Sequence, residues 1–317
     1  MNLSLLHTPD GVRDFYGTEL DIKNYIMNKF ENNIKQYGYD EIQTPALEFL
    51  KVFSELESDE YENKTFRFID RDGQTLALRP DYTPSVARIA AKYFSDENYP
   101  LRFYYKGNAF WNKGLYEGKA IEETQMGIEL LKDDTYVADA EVLSIVIENL
   151  KMIGLEDFKI CVWSKEANGE MRLEKIKNLL ANKSLDSYVT IDPSIDSSYQ
   201  YYTGMIFKVY TYGVGDCICK GGRYNTLLGR FGEDAPAVGC VFKIDDILQS
   251  IRRQKINLAQ EKPLKTFVVY NDGNVNEQIE LADKLRKDGA NCSLIKDDLV
   301  TDSFNTLCNE NGYIIVK

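Results

Sequence analysis

The sequence predicts an α+β protein: an antiparallel sheet flanked by helices, with a small α/β unit at the C-terminal end. Two patterns carry that reading. Through residue 255, strand-like runs follow one another across short turns, while amphipathic helical stretches stand in separate blocks. From 262 to 317 the order becomes strand, helix, strand, helical turn, strand, which favours parallel pairing. The 317 residues also exceed what one core of about 250 to 300 residues organises, so two domains are expected, 1–255 and 262–317.

The elements follow in order. Asp10-Gly11-Val12-Arg13-Asp14 leads into a long helix, where Ile22, Ile26, Phe30 and Ile34 lay an apolar stripe on one face. Gly38 ends it, and Glu41-Ile42-Gln43-Thr44-Pro45 reads as a strand closed by proline. Residues 65–69 and 75–78 flank an Asp72-Gly73 turn and form a hairpin. Thr83 is expected to cap a helix running through Phe94, with Pro84 at its first position. Further strands are expected at 101–105, 125–130, 158–162, 205–210 and 237–242, and a helix at 137–152. The polar stretch 251–265 reads as a linker. Beyond it come strands at 266–270, 292–295 and 313–316, with helices at 275–287 and 304–309.

Composition narrows the function. Thirty-eight Lys and Arg against fifty Asp and Glu give a net charge of −12, which disfavours nucleic acid as a main partner. No apolar run reaches about eighteen residues, so no bilayer span is expected. Met1–His7 lacks the basic and apolar regions of a signal peptide, and a cytoplasmic location is expected. Six cysteines in a chain of this length do not make a disulfide scaffold. Cys217 and Cys219 form a lone C-x-C, and His7 is the single histidine, so neither a zinc site nor Ser-His-Asp or Cys-His catalysis is supported. Gly221-Gly222 lacks the spacing and lysine of a phosphate loop, and indicates a tight turn or close backbone packing. No metal and no cofactor are expected.

Six segments in order carry a resemblance. They are Thr8–Asp14 with the helix and 37–45, Leu78-Arg79-Pro80-Asp81-Tyr82-Thr83-Pro84, and Gln125-Met126-Gly127-Ile128-Glu129. Tyr201-Tyr202-Thr203-Gly204, Gly221-Gly222-Arg223-Tyr224 and Pro236-Ala237-Val238-Gly239 complete the set. Together they resemble class II aminoacyl-tRNA synthetases, histidyl-tRNA synthetase in particular, over residues 8–250. The resemblance implies a class II fold, with the first segment as a dimer-forming helix and strand. The tail from 266 resembles a shortened start of that family's anticodon-binding domain.

The departures separate the chain from a working synthetase. The arginine that holds the ATP α-phosphate in that family is replaced by Trp111, in Phe110-Trp111-Asn112-Lys113. Asp246 stands at the third-motif arginine, and Ser197 at a further one. Each lost charge-assisted bond is worth roughly 1.5–3 kcal/mol, and adenylate formation depends on such stabilisation. The stretch from Met152 to Tyr201 also leaves no room for the synthetase's insertion toward tRNA. The wording around Asp81 and Tyr202 is closer to the regulatory subunit of ATP phosphoribosyltransferase, the first enzyme of histidine biosynthesis. That resemblance implies a non-catalytic, allosteric subunit in a hetero-oligomer with the short catalytic chain, required for its activity. It also implies a homodimer through the first-motif region, and histidine as effector. The alternative is a histidyl-tRNA synthetase or another class II amino-acid-activating enzyme; a scaffold with a dead pocket is the third reading.

Histidine offers an ammonium, a carboxylate and an imidazole. By the resemblance, Asp81 accepts from the ammonium with Thr83 and Gln125 beside it, while Glu129 and Tyr202 read the imidazole, Tyr201 adjoining. The plainer reading is that Asp81 merely starts the next helix. Glu129, alternating with apolar neighbours in a central strand, needs a partner in any case. Arg79 and Arg88 pair either with acidic neighbours or with a ligand carboxylate, and Arg223 and Tyr224 are expected along the cleft. The acidic run Glu55–Glu60 reads as a solvated loop.

Overall fold

The apolar stripe of the first helix is buried as its spacing requires. In the computed structural model, α1 (Gly17–Gln36) places Ile26, Phe30 and Ile34 in the core, and Gly38 leaves the helix at φ +79°. The structure describes residues 6–54, 64–112, 120–195, 201–258 and 264–317; Glu55–Glu60, Lys113 and Ser197 lie outside them.

The strand expected at 41–45 is shorter. Only β1 (Asp40–Glu41) joins the ladder, because the Thr44 carbonyl accepts from Arg79 Nη1 at 2.7 Å instead of from a neighbouring strand. The hairpin forms as expected from β3 (Arg67–Ile69) and β4 (Thr75–Leu78), and β2 (Leu47–Phe49) adds a third strand to it in the order β2-β4-β3. Then α2 (Thr83–Tyr93) leads to β5 (Leu101–Phe110) and β6 (Glu122–Leu131), a hairpin longer at both strands than the pattern indicated. The helix expected at 137–152 is α3 (Tyr136–Met152), capped by Thr135 Oγ1, which accepts from Ala138 N at 3.3 Å.

After β7 (Phe158–Ser164) comes α4 (Gly169–Ala181), a helix not foreseen; its buried face is Leu173, Ile176 and Leu180 at three- and four-residue spacing. β8 (Val189–Ile191), β9 (Met205–Thr211), β10 (Cys219–Arg223) and β11 (Ala237–Lys243) complete the large sheet. Its order among the described residues is β1-β5-β6-β11-β10-β9-β7-β8, antiparallel inside with a parallel pair at each edge. β10 corrects the turn reading of Gly221-Gly222. A Cβ at Gly221 would strike the Gly239 carbonyl and the Phe207 ring, and one at Gly222 the Met205 carbonyl and the Tyr202 ring. Close packing, not a turn, fixes both glycines. The start of the expected linker is also helical: α5 (Ile244–Gln254) buries Ile244, Ile247, Leu248 and Ile251.

The sheet has two unlike faces. Met126, Ile128 and Leu130 of β6 enter the apolar cluster with α1, α3 and α5. Gln125, Gly127 and Glu129 point the other way, as alternation demands. That second face carries the site.

The chain divides into two compact units, Met1–Leu258 and Ala259–Lys317. The second holds β12 (Lys265–Tyr270), α6 (Val275–Lys287), β13 (Asn291–Lys296), α7 (Asp302–Asn311) and β14 (Ile314–Val316). Its strands run parallel in the order β13-β12-β14, over a small core of Val268, Ala282 and Cys292. Among the described residues no helix is long and apolar enough to cross a membrane.

Candidate functional site

The loop between β4 and α2 delivers Asp81 and Thr83 to the polar face of β6. Thr83 does not cap α2, contrary to its position before proline. Tyr82 is the N-cap residue, and Thr83 Oγ1 instead donates to Glu129 Oε1 at 2.8 Å. A buried carboxylate needs donors, and at the helix start Asp81 Oδ1 takes over by accepting from Thr83 N at 3.2 Å. Asp81 Oδ2 accepts from Tyr201 Oη at 2.8 Å. Asp81 therefore both starts the helix and faces the site.

Glu129 is 1% exposed and accepts from Thr83 and from Tyr224 Oη. Burial pushes its carboxyl up to about 8 against the two hydrogen bonds, and the Asp81 charge adds to the rise. Tyr202 and Tyr224 are raised well above the ordinary phenol range by burial, with Glu129 beside both. Rings of Tyr201 and Tyr202 meet at 4.9 Å, and Tyr201 sets its edge to Tyr224 at 5.8 Å.

These groups enclose a pocket of about 10 Å³ above Gly239, Cys240 and Val241, room for a single water. Five of the six expected residues meet there: Asp81, Thr83, Glu129, Tyr201 and Tyr202. Gln125 does not line it. It sits further along the same face of β6 and donates to Glu123 Oε2 at 2.7 Å. Tyr224 joins the wall. Gly239 of the floor had no signal in the sequence beyond its motif.

Of the arginines, Arg223 does not line the cleft. It is wholly buried, with Nε and Nη2 donating to Asp139 Oδ1 at 2.9 and 2.7 Å, while Arg172 Nε reaches Asp139 Oδ2 at 2.6 Å. Its carbonyl accepts from Thr203 N and so ties the Tyr201–Gly204 segment to the strand before Tyr224. Arg79 donates to the Thr44 and Asn108 carbonyls, and Arg88 to Glu48.

A larger cleft of about 990 Å³ opens at the start of α5. Glu123, Asp216, Asp245 and Asp246 line it with Lys243, whose Nζ lies 3.0 Å from Asp216. Burial raises Asp246 to about 6, opposed by Lys243 and helped by Glu123, Asp216 and Asp245. Trp111 packs on the aromatic cluster around Tyr82 and Tyr105. An acid and an indole thus occupy the two positions at which the resemblance to synthetases implies phosphate-binding arginines. Among the described residues no group of His, Cys, Asp and Glu is arranged to hold a metal ion.

Known proteins resemble the chain in sequence and in fold. The family model described as histidyl-tRNA synthetase matches residues 11–165 and 163–247. The chain is 31% identical to the ATP phosphoribosyltransferase regulatory subunit of Acetivibrio thermocellus, across 90% of this chain and 85% of that protein. It is 30% identical to the one from Caldanaerobacter subterraneus subsp. tengcongensis, across 90% and 93%. A solved ATP phosphoribosyltransferase regulatory subunit/histidyl-tRNA synthetase from Bacillus halodurans C superposes with a TM-score of 0.84 at 26% identity, over 99% of each chain. Apo histidyl-tRNA synthetase from S. aureus gives 0.82 at 25% identity, over 98% of this chain and 90% of that one. With the class II fold, the pocket on the polar face of β6 and these matches in hand, the chain belongs to the ATP phosphoribosyltransferase regulatory subunit family, built on the histidyl-tRNA synthetase fold.

Proposed function

We propose that this chain is a non-catalytic partner of a short catalytic ATP phosphoribosyltransferase subunit, needed for its activity, and that it senses histidine in the pocket around Glu129. One observation carries the reading. A carboxylate at 1% exposure is held by Thr83 and Tyr224 beside a second acid, Asp81, with tyrosines around both. Such an arrangement suits a small ligand with an N–H at one end and an ammonium at the other. With no ligand in the pocket, Tyr201 Oη supplies the donor that Asp81 would otherwise take from an ammonium. Histidine enters by displacing that hydroxyl, and the pocket widens from one-water size.

Adenylate formation is disfavoured because Asp246 and Trp111 stand where the resemblance to synthetases expects phosphate-binding arginines. A homodimer through α1 and the adjoining strands fits an exposed apolar face on the small sheet, where Leu47, Phe49 and Phe68 lie 46–54% exposed. The subunit acts in the cytoplasm, with no nucleic-acid or membrane partner. Mixing it with the catalytic chain tests the reading: co-sedimentation and activity that appears on mixing and is suppressed by histidine support it. A catalytic chain equally active without it contradicts it.

A further inference from the structure

Arg223 stands between two residues that shape the pocket wall. Gly222 packs on the Tyr202 ring and Tyr224 donates to Glu129, so alternation along the chain sends the Arg223 side chain to the helical face of the sheet. There it is wholly buried, and so is Asp139 in the first turn of α3, 84 residues away in sequence. Asp139 Oδ1 accepts from Nε and Nη2 of Arg223 at 2.9 and 2.7 Å, and its Oδ2 accepts from Nε of Arg172 in α4 at 2.6 Å. Arg223 Nη1 also donates to the Asp133 carbonyl, and Arg172 Nη2 to the Asp134 carbonyl, each at 2.9 Å. One carboxylate thus pins a strand of the pocket to the starts of two helices.

The backbone of Arg223 holds the pocket side. Its carbonyl accepts from Thr203 N at 2.9 Å and from Gly204 N at 3.3 Å, and Thr203 Oγ1 accepts from Asn225 N at 3.0 Å. Gly204 lies against the Arg223 stem, where a Cβ would come within 3.2 Å of it. Tyr201, Tyr202 and Tyr224 therefore hang on the backbone from 222 to 225.

We propose that Asp139, gripped by Arg223 and Arg172, is a positioning residue for this pocket, an inference resting on the histidine reading above. None of the three lines the pocket. A buried ion pair adds little stability over apolar packing, but it fixes one geometry. Here the clamp sets the Arg223 backbone, and that backbone sets the tyrosines before a ligand arrives, so binding does not have to order them. Arg172 is the outer jaw: its side chain is 17% exposed, whereas those of Arg223 and Asp139 are wholly buried.

Calorimetric titration of the full chain with histidine tests the assignment, each variant being melted alongside. Asp139→Asn strips two guanidiniums of their charge partner and endangers the fold, so the outer jaw is the residue to change. Arg172→Gln stays folded and binds histidine at least about fivefold more weakly. Arg172→Lys, which keeps a cation for Asp139 Oδ2, recovers most of the affinity. Lys183→Gln breaks the 3.4 Å pair with Glu148 at the other end of α3 and leaves histidine binding native. Tyr201→Phe changes affinity less in the Arg172→Gln background than in the native chain, although the two residues lie on different segments, because the clamp places the hydroxyl. Native affinity in a folded Arg172→Gln chain overturns the inference. So does an equal loss in Lys183→Gln, which would mark a general effect of stability. If the native chain does not bind histidine, the histidine reading falls and this inference with it; a native chain that binds, with Arg172→Gln binding equally well, removes the inference alone.

Discussion

Gly239 stands directly opposite Glu129 in the β6–β11 ladder, and a Cβ there would overlap the Glu129 carboxylate. The glycine exists so that the acid can lie flat over the strand and reach Thr83 and Tyr224. Gly239→Ala should push the carboxylate off both donors. The expected result is at least about a tenfold loss of histidine affinity with about 1–3 kcal/mol of stability lost to overpacking. Calorimetry and a denaturant melt measure both, and unchanged affinity would contradict the role given to Glu129.

Glu129 also makes stability depend on pH in a defined direction. Burial raises its carboxyl from the ordinary 4.5 to about 8 in the folded chain. The folded state then binds a proton that the unfolded state releases between those values, so its contribution is full below about 4.5 and is lost as pH rises through about 8. Glu129→Gln does not titrate. The melting temperature of the native chain, taken relative to that variant, should fall between about pH 5 and about pH 8.5. A flat or rising difference would contradict the buried, protonated carboxyl.

Tyr201 is the internal occupant of the Asp81 site. Tyr201→Phe removes the 2.8 Å bond to Asp81 and leaves that oxygen seeking a donor, at a cost of about 1–3 kcal/mol to the empty chain. Histidine no longer has to displace the hydroxyl, so its binding should tighten several-fold. Thermal melts with and without histidine read both effects: a lower starting melting temperature and a larger rise on adding ligand. A variant that is destabilised and binds histidine more weakly would show that the hydroxyl serves the ligand rather than competing with it.

Nucleotide chemistry should be absent. With Asp246 at the start of α5 and Trp111 in the aromatic cluster, ATP with magnesium is expected to bind no better than about millimolar. Histidine-dependent ATP–pyrophosphate exchange should stay at background. Micromolar ATP affinity in the cleft beside Lys243, or exchange at an enzyme-like rate, would restore the synthetase alternative.

Periodic elements were readable from sequence because their pattern and their burial are the same thing: the Ile26, Phe30, Ile34 stripe of α1 and the β3–β4 hairpin are examples. Elements whose cause lies in other segments were not. β10 holds Gly221 and Gly222, weak strand formers that are required by the Gly239 carbonyl and the Tyr202 ring on neighbouring segments. The threonine before Pro84 has every local mark of a cap, yet Glu129, forty-six residues away in sequence, takes its hydroxyl. Motif resemblance gathered Asp81, Glu129 and Tyr202 correctly into one place, whereas the turn of Gln125 toward Glu123 depends on strand register alone.

If histidine controls the assembled complex, as proposed, it does so through Glu129. An effector shifts an equilibrium only by its differential affinity for the two states, so the contact that distinguishes them must matter to inhibition. Glu129→Gln keeps the volume, mimics the protonated acid and cannot become the carboxylate that accepts an imidazole N–H. The measurement is the histidine inhibition curve of the complex reconstituted with the catalytic chain, assembly being checked by sedimentation. A shift to at least about tenfold higher histidine, roughly 1.4 kcal/mol, with near-native uninhibited activity is the predicted result. An unchanged curve from an intact complex would contradict it and put the sensing site outside this pocket.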